Sequence, residues 1–423
     1  MQNIYQHFLE HKKISTDSRK ITSNCIFFAL SGKNFNGNLF ALEALQKGAA
    51  YAIVDQDVDS QNPKIFRVEN VLRFLQDFAT MHRQSFQIPV LAITGSNGKT
   101  TTKELIASVL SAKYRVHYTK GNLNNHIGVP LTLLQLTDEH EIAIIEMGAN
   151  HQREIEALCE IALPTHGLIT NIGKAHLDGF GGIEGVKIGK GELFDYLDRI
   201  KGVAFVNESE QSLEDLFTRM HLKKVAYSNS SKDQGFIDVL NISTQSSLSF
   251  DVISQNDIIT AVSTLLQGKY NLPNIVNAIC IGIYFYVPLK DIVNQIETYI
   301  PSNNRSQLKI IDSNHFILDA YNANPSSMKV AIENFGKINH PNKIAILGDM
   351  FELGEYSELE HKKIEDFVKK FDFKQVVFVG SHFDKAAFKN VEELQAWFKN
   401  QHFENTYFLV KGSRGVALEK ILE

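Results

Sequence analysis

"ITGSNGKTT" (residues 93–101) is a phosphate-binding loop in shortened form. The usual pattern is G-x-x-x-x-G-K-[ST]. Gly98, Lys99 and Thr100 satisfy its end, but the earlier glycine is Gly95, where the usual spacing would put it at Ile93. The flanks decide the reading. "IPVLAI" (88–93) is an apolar run of strand type, and "TTKELIASVLSAKY" (101–114) repeats Leu105, Ile106, Val109 and Leu110 at helical spacing. A loop between strand and helix offers free backbone N–H groups at the positive end of the helix, where anions bind. Lys99 can neutralise terminal phosphates and the Thr100 hydroxyl can hold Mg²⁺. The plainer alternative is a glycine-rich turn with a solvated lysine. The coincidence of GK[ST] with its strand and helix weighs against it.

The chain has 423 residues, enough for about three domains. Apolar residues make up 43% and charged residues 22%, a globular balance. The net charge of −5 provides no basic footprint for nucleic acid. Cys25, Cys159 and Cys280 are odd in number and lie in apolar surroundings, as buried reduced thiols would. The N-terminus lacks a signal-peptide core, and "AICIGIYFYV" (278–287) is too short to span a bilayer. These features point to a cytoplasmic protein without membrane insertion.

Two polar stretches, "HRQSFQIP" (82–89) and "IPSNNRSQ" (300–307), divide the chain into 1–85, 86–300 and 301–423. Strand-like runs "EIAIIEM" (141–147), "HGLIT" (166–170) and "GVAFVN" (202–207) mark the middle part. "KIAILG" (343–348), "QVVFVG" (375–380) and "TYFLVKG" (406–412) mark the last. Alternation with helical patterns predicts α/β layers with mainly parallel sheets, whose ligands bind at the carboxyl ends of strands. Polar residues gather there. Glu146 ends one strand and reads equally well as a Mg²⁺ ligand or a surface carboxylate. His176 and Asp178 lie in a glycine-rich loop. Asp319, Tyr321, Asn322 and Asn324 follow another strand. Lys187 and Lys190, at helical spacing, read by themselves as a solvated face. Asn274 and Asn277 begin the helix pattern "LPNIVNAICIGIYF" (272–285). Arg305, at the second break, could reach a phosphate bound by the neighbouring domain.

Taken in order, these stretches resemble the Mur ligases, ATP-dependent amide-forming enzymes of peptidoglycan precursor synthesis. The resemblance rests on "TGSNGKT", "STDSRKI", "GNLNNHIGVPLTLL", "IIEMGAN", "TNIGKAHLDGFGG", "GVKIGKGELF", "NNRSQ", "DAYNANPSSM", "LGDMFELG" and "KGSRG", spread over residues 15–415. Within the family it favours the branch that joins D-alanyl-D-alanine to UDP-N-acetylmuramoyl-tripeptide. A MurE-type amino-acid ligase and a folylpolyglutamate-synthase-like ligase are the alternatives. The resemblance implies three domains: an N-terminal UDP-binding α/β domain (1–85), a central P-loop ATPase (86–300) and a C-terminal Rossmann-like domain that brings the amine (301–423).

It also implies roles, with a monomer acting on ATP and Mg²⁺. The loop Gly95, Ser96, Asn97, Gly98, Lys99, Thr100 and Thr101, with Asn277, Arg305 and Asp319, would bind ATP. Thr100, Glu146, His176 and a carbamylated Lys190 would form the metal sites, two ions being expected. Lys99, Lys190, His176 and Arg305 would serve catalysis. Ser15, Asp17, Ser18, Arg19 and Asn125 would hold the uridine substrate, and Asp349, Glu352, Lys411 and Arg414 would face D-alanyl-D-alanine. Two positions depart from the common pattern: Pro273 precedes Asn274, and Leu318 precedes Asp319. A contact from Arg305 to ATP would require the last domain to close onto the central one, which would also shield an acyl phosphate from water.

Overall fold

The structure, a computed structural model, describes residues 2–423 apart from Ser60, 219–222, 228–236, 244–247, 255–257, Gln267 and 302–306. Its centre is a six-stranded sheet in the order Lys223–Tyr227, Val203–Asn207, His166–Ile169, Val90–Thr94, Ile142–Glu146, Val116–Tyr118. Every pairing in it is parallel. Val90, Leu91, Ala92 and Ile93 are wholly buried, as a parallel strand covered on both faces requires. This strand comes first in the chain yet lies inside the sheet, with His166–Ile169 on one side and Ile142–Glu146 on the other. Connections therefore diverge at its carboxyl end and leave a crevice there, directly over the 95–98 loop.

The N-terminal part holds a parallel four-stranded sheet, Ile14–Ser15, Ile26–Phe28, Tyr51–Val54 and Ile65–Arg67. The last part holds a six-stranded sheet in which Gln307–Ile311 runs antiparallel to Asn314–Asp319 and the other pairings are parallel. The three-domain α/β architecture expected from the alternating pattern is present. A small antiparallel sheet, Ile237–Ser243, Ser249–Ser254 and Ile258–Ser263, was not anticipated. Its inward residues Val239, Phe250, Val252 and Val262 share one apolar cluster with the helix Leu272–Tyr284.

The first polar break is not a free linker. "HRQ" (82–84) completes the helix Val71–Gln84, and His82 and Arg83 are buried. The Arg83 guanidinium donates to the carbonyls of Phe86, Ile88 and Ala162, which answers its burial cost and ties the first domain to the second. Arg305 and most of the second break lie outside the described residues. The three cysteines are buried and free, as expected. Among the described residues no helix is long and apolar enough to cross a membrane.

The helix Ile183–Ile200 packs against the short helix Leu177–Phe180 through Gly185 and Gly189. A Cβ on Gly185 would collide with the Phe180 carbonyl, which is backbone and cannot swing aside, whereas one on Gly191 meets only the tip of Leu216. Gly185→Ala should cost about 1–3 kcal/mol and Gly191→Ala clearly less. Thermal unfolding of the two variants checks the order; equal losses would contradict this packing.

Candidate active site

The helix after the phosphate loop begins at Lys99, two residues before the apolar pattern suggests, because Gly98 caps it in the left-handed region at φ +78°. A side chain there would be strained, and its Cβ would stand 2.5 Å from Asn274 Oδ1. The loop is stitched to the segment 170–173. Ser96 N–H donates to the Asn171 carbonyl and Asn97 N–H to Asn171 Oδ1, both at 3.0 Å. Gly173 N–H donates to Ser96 Oγ (2.9 Å), and Thr170 Oγ1 donates to the Asn97 carbonyl (2.6 Å). The Lys99 ammonium donates to the Gly95 carbonyl at 2.6 Å.

Below the loop the Thr100 hydroxyl is 2.9 Å from Glu146 Oε2, and Asn124 Nδ2 donates to Glu146 Oε1 at 2.8 Å. Lys103 Nζ stands 3.4 Å from Glu146 Oε2, with both side chains essentially inaccessible. Of the two readings left open for Glu146, the surface carboxylate is excluded. The hydroxyl and carboxylate are adjacent hard oxygens, a donor set that fits Mg²⁺. Lys103 and Asn124 escaped the motif reading, although Lys103 falls one helical turn after Lys99 and so shares its face.

Lys190 is also buried, contrary to the solvated-face reading. Its Nζ donates to the Ala149 carbonyl at 3.0 Å and lies 5.0 Å from the Phe180 ring centre. Burial, assisted by the positive charge of Lys99, pushes its pKa well below the usual lysine value. Lys187 keeps to the rim and pairs with Asp215.

Over the crevice lies a cleft of about 1220 Å³, walled by all three domains. Gln76 and Asp77 come from the first domain. Ser96–Lys99, Asn124, Asn125, Glu146 and His176 come from the second, and Asp319, Asn324 and Lys411 from the third. The second and third domains are in direct contact. Asn324 Nδ2 donates to Asn97 Oδ1 (2.8 Å), Lys174 N–H to Ser326 Oγ (3.1 Å), and Lys174 Nζ to the buried Glu360 (2.6 Å). Burial raises the Glu360 pKa, but the hydrogen bonds from Lys174 and Lys363 outweigh it and hold the group below the usual carboxylate range. His176 Nδ1 pairs with Glu352 across the same junction, which lowers the Glu352 pKa against its burial.

Several expected positions lie elsewhere. Asn277 does not line the cleft: it is buried, and its Oδ1 accepts from the Tyr227 hydroxyl at 2.5 Å. One helical turn earlier, the unassigned Asn274 does line it, next to Gly98 and bonded to Thr102 Oγ1 at 3.0 Å. Asp349 is buried inside the third domain, where it accepts from Ser381 N–H and His382 Nδ1, each at 2.8 Å. It braces that turn and does not face the cleft. Lys411 lines the cleft and pairs with Asp319 at 2.6 Å. Arg414 is mostly exposed, beside Glu419 and the Tyr321 ring. Ser15, Asp17, Ser18 and Arg19 form a separate cluster, in which the Arg19 guanidinium donates to both Asp17 oxygens at 2.9 Å.

Known proteins match the chain along most of its length. Residues 10–83 match the model described as Mur ligase family, catalytic domain. Residues 93–282 match Mur ligase middle domain, and 304–418 match Mur ligase, glutamate ligase domain. The UDP-N-acetylmuramoyl-tripeptide–D-alanyl-D-alanine ligase of Bacillus subtilis (strain 168) is 33% identical over 97% of this chain and 92% of its own. The chain belongs to the Mur ligase family. Among solved Mur ligases, MurF from Acinetobacter baumannii superposes with a TM-score of 0.85 at 30% identity, covering 97% of this chain and 92% of that one. MurF from Thermotoga maritima in complex with ADP gives 0.84 at 25% identity, covering 97% and 96%.

The Lys174–Glu360 pair crosses between domains, whereas Lys363–Glu360 lies within one. Lys174→Met should therefore enlarge the radius of gyration in solution and Lys363→Met should not. Small-angle scattering of the two variants is the check, and an unchanged radius for Lys174→Met would remove this pair as a latch.

Proposed function

We propose that this Mur ligase joins D-alanyl-D-alanine to UDP-N-acetylmuramoyl-tripeptide at the expense of ATP, through an acyl phosphate. The observation that carries the reading is the phosphate loop opening, with Thr100 and Glu146 beneath it, into a cleft closed by the third domain. Relatives that span nearly the whole chain bear the name of this activity. Nothing favours the MurE-type or folylpolyglutamate alternatives.

A carboxylate is a poor acyl donor, so the γ-phosphoryl group of ATP first passes to the tripeptide terminus. That transfer depends on positioning and on cations placed where charge develops. The loop N–H groups and Lys99 supply both, and Asn274 borders the loop from the adjoining helix. Thr100 and Glu146 would hold Mg²⁺, which when bound neutralises charge on the phosphates. The amine of D-alanyl-D-alanine then attacks the acyl carbon, and the tetrahedral intermediate expels phosphate. Contact between Lys174, His176 and the third domain keeps water from the acyl phosphate.

The first domain would hold the uridine nucleotide through Ser15, Asp17, Ser18 and Arg19, with Asn125 reaching from the second. The third would present the amine, with Lys411 lining the cleft and Glu352 at the junction with His176. The lowered pKa of Lys190 suits carbamylation: the free amine would add to CO₂ and release one proton, and the resulting carbamate would offer oxygens to a second Mg²⁺. His176, with Nδ1 engaged by Glu352, keeps Nε2 as a metal donor, the arrangement second-shell carboxylates enforce.

Phosphate release should require ATP, the UDP-linked tripeptide and D-alanyl-D-alanine together; release unaffected by omitting the dipeptide would overturn the assignment. Lys99→Ala should lower kcat by about 10²–10³-fold while the fold persists by circular dichroism. Lys190→Ala should lose most of its activity and regain part of it when a small carboxylic acid is added. Normal turnover of that variant would exclude the carbamate.

A further inference from the structure

The helix Gln2–His11 takes no part in the cleft, yet its last turns carry His7, Glu10 and His11. Residues three and four apart share one helix face. One ligand atom from each side chain lies within 4.8 Å of the other two. The His7 and His11 rings are 4.5 Å apart between centroids, tilted by 47°.

The surroundings hold His7 in place. Its Nε2 is 3.1 Å from the Asn24 carbonyl oxygen, and its ring stands edge-on to Tyr51 at 5.0 Å. With the Nε2 proton donated to that carbonyl, Nδ1 keeps a free lone pair. Metal-binding histidines are commonly oriented by such a carbonyl. Ile4 and Phe8, on the adjoining stripe of the helix, are buried in the core, so the trio sits on an anchored element.

We propose that His7, Glu10 and His11 form a surface site for one divalent transition-metal ion of the Zn²⁺, Ni²⁺ and Cu²⁺ class. Imidazole nitrogen suits these ions, whereas Mg²⁺ demands oxygen ligands in octahedral geometry and does not compete. Two nitrogens and one carboxylate leave a fourth, tetrahedral position to water. The order H-x-x-E-H also occurs in zinc peptidases, but this trio lines no substrate cleft, so its role is binding. A bound ion would fasten the end of the helix, and binding to the folded state alone raises the unfolding temperature by linkage.

Tag-free protein, stripped with a chelator and kept in Mg²⁺ buffer, would be titrated with Zn²⁺ by calorimetry and with Co²⁺ by visible absorption. The expected result is one equivalent per chain and a higher unfolding temperature with Zn²⁺. His7→Ala and His11→Ala should weaken binding at least tenfold while keeping the metal-free unfolding temperature and the ligase turnover. Glu146→Gln, which alters the phosphate-loop site, should still bind Zn²⁺. Undetectable binding, or unchanged affinity in the His7→Ala/His11→Ala double variant, would overturn the proposal.

Discussion

A carboxylate as deeply buried as that of Glu146 survives only if other groups answer its charge. Two segments supply them: the Thr100 hydroxyl and Lys103 ammonium from one helix, and the Asn124 amide from the 119–127 loop. Removing one partner would leave a charge without compensation, so the cluster specifies how strand, loop and helix must meet. Ile142–Glu146 pairs with Val90–Thr94 in the register Ile93 to Glu146, which brings the carboxylate beneath the phosphate loop. Everything the site can do with phosphates depends on that register.

The segment 170–176 links this centre to the rest of the molecule. Its first residues hold the loop by six hydrogen bonds from and to Ser96 and Asn97. Its last residues, Lys174 and His176, grip the third domain. Asn324 makes the same connection from the other side, since it caps the helix Pro325–Gly336 while donating to Asn97. The 95–98 loop is therefore bonded to the third domain by two short routes, one through segment 170–176 and one through Asn324.

Lys190 shows how one residue type takes opposite meanings. At helical spacing with Lys187 it has the pattern of a wet face. The glycines at 185 and 189 let this helix approach its neighbour closely, and that approach buries Lys190 while Lys187 stays at the rim. Burial then depresses the lysine pKa, an effect that arises from packing and not from the local pattern.

By itself the sequence determined the α/β class, the phosphate loop, most strands and the family, because these depend on local patterns: apolar runs, helical spacing and contiguous motifs such as "TGSNGKT". It also put Thr100 and Glu146 on the page as separate candidates. Only the tertiary structure decided that they meet, since they are 46 residues apart. Pairings at such distance follow from strand order and register, which leave no local trace. The same holds for Asn274, which reaches the cleft where Asn277 is covered by Tyr227, and for Asp349, whose motif suggested a ligand and whose burial makes it a brace. Lys103 was invisible because a buried lysine differs from an exposed one only in its neighbours, and those neighbours come from other parts of the chain.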